Sequence, residues 1–207
     1  MALDDKIAKV RQRLSPDVRQ KQLIRAAHDI LMKEGYSALS FSRIAKVCGI
    51  RLSTVQHHFP DRSVLIDAVL KLLFDDLLGR YEALDTDAIA GPASKVEAMV
   101  RLLTADVDNA DIASLFFELW AFSHRDPVIA RAIEQLYARV RTHLADLIAA
   151  TDPAISTDEA LRRAIMVMAM ADGLTVTMSH GSSPLNRPGG VERETVVARL
   201  VRLALEG

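Results

Sequence analysis

The chain has 207 residues and a formal net charge of −1, with 50% hydrophobic and only 5% aromatic side chains. That length can bury a substantial core in one or two domains, and the near-neutral balance by itself says nothing about a polyanionic partner. Cys48 is the only cysteine, which rules out an internal disulfide, and the start MALDDKIAKVRQRL lacks the apolar run of a signal peptide.

Residues 1–14, with Lys6, Lys9, Arg11 and Arg13, are charged and weakly patterned and are expected to form a flexible arm. Ser15-Pro16 supplies an N-cap and a proline at the first helical position, opening a helix that ends near Gly35. Ser40 caps a second helix with Ile44, Ala45 and Val47 on its apolar side, and Gly49 sits where a left-handed cap would end it. A third helix spaces Leu52, Val55 and Phe59 for burial and points Arg51, Ser53, Gln56 and His57 elsewhere. Pro60 stops it and Asp61 caps the next. Two helices joined this tightly form a helix-turn-helix, whose second member enters the major groove of DNA.

A long helix from Asp61 to about Leu84 follows, with Leu65, Val69, Leu72, Leu73, Phe74 and Leu77 as its apolar positions. It connects the three-helix head to the rest. AIAGPAS, ending at Ser94, is a loop, and helices are expected from about Lys95 to Val107, Asp111 to His124 and Asp126-Pro127 to about Ala150. Ser156 and Glu159 match a reciprocal capping box for a helix over Thr157 to Ser179. GSSPLNRPGG is a breaker before a last helix from Val191 to Leu205. There is no convincing strand-like alternation. The expected fold is all-α with about nine helices, a helix-turn-helix head over residues 1–62 and a helical-bundle body over residues 63–207.

Charge divides at the same point. Residues 1–62 carry a net +6 and the remainder a net −7, a basic head on an acidic body, as expected when a nucleic-acid-binding unit is joined to something else. The longest apolar run, Ala164 to Ala171, is too short to span a bilayer, so the expected location is cytoplasmic with no membrane partner.

The head resembles the TetR family of bacterial transcriptional regulators. Arg19, Ala26-Ala27, Glu34-Gly35-Tyr36, Leu39-Ser40, Ile44-Ala45, Gly49-Ile50, Thr54-Val55, His58-Phe59, Asp61-Arg62 and Leu65 carry the match. Arg51, Ser53 and Gln56 depart from it, standing where the family usually has serine, a small residue and tyrosine; these departures bear on the operator sequence, not the fold. The segments FFELWAFSHRDP and MADGL are loosely similar to the choline-responsive regulators of glycine-betaine synthesis.

The resemblance implies that Arg51, Leu52, Ser53, Thr54, Gln56 and His57 lie along a recognition helix. There Arg51 can donate to guanine, Gln56 can bond adenine, and Leu52 either packs on a thymine methyl or turns into the core. Ser40, Ser42, Arg43, His58 and Arg62 are expected at phosphates. His57 and His58 point about 100° apart on a helix and do not share a metal; no metal or cofactor is expected. The family pattern also implies an effector cavity in the body, with Phe74, Phe116, Phe117 and Trp120 as candidate lining and the Trp120 ring a possible seat for a cation. Glu118 falls on a polar stripe with Asp111, Ser114, Ala121 and Arg125 and is expected to face solvent.

Asp172 interrupts an apolar stripe with Leu161, Ile165, Met168 and Val176, so it needs a partner: an arginine at the subunit interface, a ligand, or water. The last two helices are more apolar than one protomer requires. They are expected to form a four-helix homodimer interface through Ile165, Met168, Val176, Val197, Leu200, Val201 and Ala204. The function so implied is a DNA-binding transcriptional regulator, a repressor released from its operator by a small-molecule effector. The rivals are a helical-bundle enzyme, for which no nucleophile–base spacing or phosphate loop is present, and a DNA-binding dimer with no effector.

Overall fold

Capping residues divide the chain into helices. In a computed structural model describing residues 15–85, 89–105, 110–178 and 193–206, these are α1 (Pro16–Glu34), α2 (Phe41–Cys48), α3 (Leu52–His58), α4 (Arg62–Glu82) and α5 (Pro92–Ala105). They continue with α6 (Ala110–Ser123), α7 (Pro127–Ala149), α8 (Thr157–Met178) and α9 (Arg193–Glu206), plus two short 3-10 turns at Tyr36–Ala38 and Ala83–Asp85. No strand occurs among the described residues. The expected arm of residues 1–14 and the breaker at 181–190 lie outside them.

The caps act as their chemistry requires. Ser40 Oγ accepts from the Arg43 amide at 3.2 Å, Asp61 from Ser63 at 2.9 Å and Asp126 from Val128 at 2.9 Å. Ser156 accepts from Glu159 at 3.2 Å, but the reciprocal half of the expected box is replaced: the Glu159 carboxylate turns to Arg162 and Arg163. α5 begins three residues before its expected start, because Pro92 occupies the first helical position, where its missing N–H is no loss.

Leu23 and Ala27 of α1, Ile44 of α2, Val55 of α3, Phe59 beyond it and Leu65 and Val69 of α4 are completely buried together. Val47, expected on the apolar side of α2, is instead half exposed. The rest of α4 packs against α7, and α7 against α8. No described helix is long and apolar enough to cross a membrane.

The C-terminal helices require a correction. Val197, Leu200 and Ala204 are buried inside the protomer, where α9 lies against α5 and α8. Arg163 of α8 donates to the Leu205 carbonyl at 2.8 Å, and Arg101 of α5 pairs with Glu194 at 2.8 Å. Val201 is half-buried in the same layer, and Met168 is buried facing inward. Helical periodicity marks a side for burial without saying which chain buries it. Ile165 and Val176 do point out, and with Met166 and Met170 they leave an exposed apolar face on α8, Ile165 at 46% and Met170 at 50% exposure.

Candidate functional site

Gly49 makes the turn between α2 and α3. Its φ of 63° and ψ of 34° are left-handed, and the Ile50 amide reaches back to the Ala45 carbonyl at 3.0 Å. α3 then presents two unlike sides. Val55 and Phe59 are completely buried against the head core, whereas Arg51, Ser53, Gln56 and His57 are exposed and Thr54 and His58 half-buried. Leu52 is 43% exposed, so it belongs with the outward residues and not with the core. The rings of His57 and His58 lie 5.6 Å apart and nearly perpendicular. Among the described residues no group of three or more His, Cys, Asp or Glu side chains is placed to hold a metal.

The residues expected at phosphates differ in readiness. Ser42 is exposed, its hydroxyl 3.2 Å from that of Ser40. Arg43 is clasped bidentately by Glu34, at 2.6 and 2.9 Å, and its hydrogen bond holds the Glu34 carboxyl below the usual carboxylate range. A phosphate would therefore have to displace Glu34. Arg62 donates from Nη1 to the Tyr36 hydroxyl at 3.1 Å, with its guanidinium 5.0 Å above the Tyr36 ring. The Cys48 thiol, half-buried at the end of α2, is pushed up by burial, so it is a poor nucleophile.

A second site lies inside the body. Helices α4, α5, α6, α7 and α8 line a cavity with about 60 Å³ open to the centres of water-sized molecules. Its walls include Phe116, Trp120, Tyr81 and Met168. Its polar groups are few and linked: Trp120 donates its indole N–H to the Tyr137 hydroxyl at 3.1 Å, and Tyr137 bonds the Asp172 carboxyl. Burial raises Asp172 to about 6, against the lowering effect of Tyr137. Burial, then the neighbouring Asp172, likewise pushes the Tyr137 hydroxyl up. Among the described residues, the cavity lining holds one carboxylate and no basic side chain.

Of the expected lining residues, Phe116, Trp120 and Asp172 are therefore brought together. Phe74 stands one ring behind, its centroid 6.4 Å from that of Phe116, and borders an outer cleft between α4 and α7. Phe117 is not part of the lining; it packs on Trp120 at 5.8 Å between centroids. Within its own chain Asp172 meets the Tyr137 hydroxyl. Tyr137 and Thr175 were missed as lining residues, although a polar-tipped aromatic among Leu136, Val140 and Leu144 on α7 was a usable signal.

Glu118 also needs correction. It does not face solvent alone: its Oε2 accepts the Tyr36 amide at 2.5 Å, joining α6 to the turn after α1. The stripe that marked it as polar was sound, but its partner lies 82 residues away.

Comparison with known proteins places these two sites in context. Residues 92–203 match the model for the C-terminal domain of BetI-type transcriptional repressors, and residues 23–69 match that of the bacterial regulatory proteins of the tetR family. The chain is 28% identical over 171 residues to the HTH-type transcriptional regulator BetI of Rhizobium meliloti, covering 82% of each chain. A Rhodococcus transcriptional regulator of solved structure superposes with a TM-score of 0.70 at 26% identity, covering 94% of this chain and 97% of the other. A transcriptional regulator of Saccharomonospora viridis, solved in complex with choline, superposes with a TM-score of 0.67 at 18% identity over 90% of this chain and 93% of its own.

Proposed function

The chain belongs to the TetR family of bacterial regulatory proteins and is a transcriptional regulator, and from that premise we propose a homodimeric repressor released from its operator by a small organic cation. Residues 1–62 serve as the DNA-binding domain and residues 63–207 as the effector and dimerisation domain. Support for the DNA-reading role comes from α3, which exposes Arg51, Leu52, Ser53, Gln56 and His57 while Val55 and Phe59 root it in the core. Arg51 and Gln56 read base edges; Ser42, Arg62 and, after leaving Glu34, Arg43 hold phosphates.

The observation that carries the effector reading is the Trp120–Tyr137–Asp172 chain. A buried carboxylate in an aromatic cavity without a basic neighbour favours an incoming cation, which neutralises it and lies against the Trp120 face. The cavity has room for a few waters, less than an organic ligand requires. Occupancy must therefore move a wall. Because α4 is one wall and begins at the head, an outward shift changes the spacing of two heads in a dimer, and the population moves to a form that no longer fits paired half-sites.

The test uses duplex DNA enriched by the protein from a random pool, titrated with choline, the molecule held by the Saccharomonospora viridis neighbour. Release of the enriched duplex by choline, and none by its neutral carbon isostere 3,3-dimethylbutanol, supports the proposal. Release by both at equal concentration would reject the cationic effector, and failure to enrich any duplex would reject the repressor.

A further inference from the structure

We infer that Tyr36 is the catch of a latch through which α6 reports cavity occupancy to the DNA-binding head directly, by a route separate from the connector α4. The inference rests on the effector reading proposed above. α6 has two occupied sides. Ile112, Phe116 and Trp120 line the cavity, and at ~100° per residue Glu118 and Phe122 fall on the opposite side. That side grips the head. Glu118 accepts the Tyr36 amide at 2.5 Å, and the Phe122 ring lies 4.6 Å from the Tyr36 ring. Just beyond α6, Asp126 accepts the Tyr36 hydroxyl at 3.3 Å, and the same hydroxyl accepts from Arg62 at 3.1 Å.

Tyr36 is thus held at its backbone, ring and hydroxyl by one short stretch of the body, and its hydroxyl orients Arg62 at the start of α4. Gly35 makes the close approach possible. Its φ is +80°, and a β-carbon there would stand 2.7 Å from the Glu118 carboxylate. An interlock this tight has little slack: a shift of α6 by about 1 Å either breaks the charged hydrogen bond or carries Tyr36 along. An occupant that pushes on Phe116 and Trp120 pushes on the helix that holds the catch.

Hydrogen exchange at the Tyr36 amide reads the latch without DNA or effector. Glu118→Ala should speed that exchange by about tenfold or more, the scale expected on losing a bond to a charged acceptor, while Tyr36→Phe keeps the amide protected. Ala113→Leu, which fills the cavity from α6, should speed the same amide and weaken binding to the enriched duplex; Thr175→Met, filling it from α8, is the second variant should the first not fold. In a Glu118→Ala background the cavity-filling variant should change DNA affinity by a smaller factor than it does with Glu118 present, because only the route through α4 remains. An unaltered Tyr36 amide in both cavity-filling variants would overturn the latch, as would an equal effect on DNA affinity with and without Glu118. If the wild-type protein enriches no duplex, the repressor reading fails instead, and exchange alone decides the latch.

Discussion

Trp120 and Tyr137 are joined by a 3.1 Å hydrogen bond between indole N–H and phenol oxygen, and that bond fixes where the cavity keeps its charge. With the Tyr137 oxygen engaged by Trp120, its proton is directed to Asp172, the one acid in the lining. The other described residues of the cavity wall are apolar or aromatic apart from Thr175, whose hydroxyl donates to the Ala171 carbonyl at 3.2 Å.

Choline affinity should therefore depend on the ionised form of Asp172. Burial places its pKa at about 6, so affinity is full near neutral pH and falls as the solution is acidified through that value. Asp172→Asn should weaken binding about tenfold or more at neutral pH and abolish the pH dependence, as measured by calorimetry.

The same group makes an opposite prediction for the unliganded protein. Its folded pKa is raised above the unfolded carboxylate value, so its contribution to stability is complete below ~4 and is lost as pH rises toward the folded value of about 6. Asp172→Asn should melt about 2 °C or more above wild type at neutral pH, a difference that vanishes in acid. A variant melting lower at neutral pH would mean that ionised Asp172 stabilises the empty fold.

Dimerisation should be disrupted from α8, not α9. Ile165→Asp and Met170→Asp alter exposed side chains and should give folded monomers by sedimentation with an unchanged circular dichroism spectrum. Leu200→Asp places a charge in the protomer interior and should instead lower stability by several kcal/mol, about 3–5 on the usual scale.

Arg51→Ala should reduce discrimination between enriched and shuffled duplex by about 10-fold, within the 1–3 kcal/mol of a good bidentate base contact. Equal weakening on both duplexes would make Arg51 a phosphate contact.

Glu34→Ala removes the carboxylate that clasps Arg43 at 2.6 Å, leaving the guanidinium ready for phosphate. Binding to any duplex should tighten by a few fold, and the dependence on salt should steepen by about one counterion.

The head was legible because its signals are local. Ser40, Gly49 and Asp61 are caps whose effects reach only a few residues, and Val55 and Phe59 face the core at helical spacing. Arg51 and Gln56 could be placed outside by the same periodicity. The body was legible only as far as each helix could be read alone. The apolar stripe of α9 was found, but not that α5 and α8 of the same chain cover Val197, Leu200 and Ala204. Asp172 was identified as needing a partner, while Tyr137, a polar-tipped aromatic among apolar positions of α7, could be read as inward-facing but not as the group opposite Asp172. Glu118 was lost for the same reason: its carboxylate answers a backbone amide at Tyr36, and no periodicity along α6 encodes a neighbour so distant in sequence.

The most direct measurement is fluorescence anisotropy of the wild-type protein on its enriched duplex and on a shuffled duplex of equal composition, at ~150 mM salt. A sequence-reading α3 predicts at least ~10³-fold tighter binding to the enriched duplex. Equal affinity for the two would contradict the account, leaving a basic head that holds DNA without reading it.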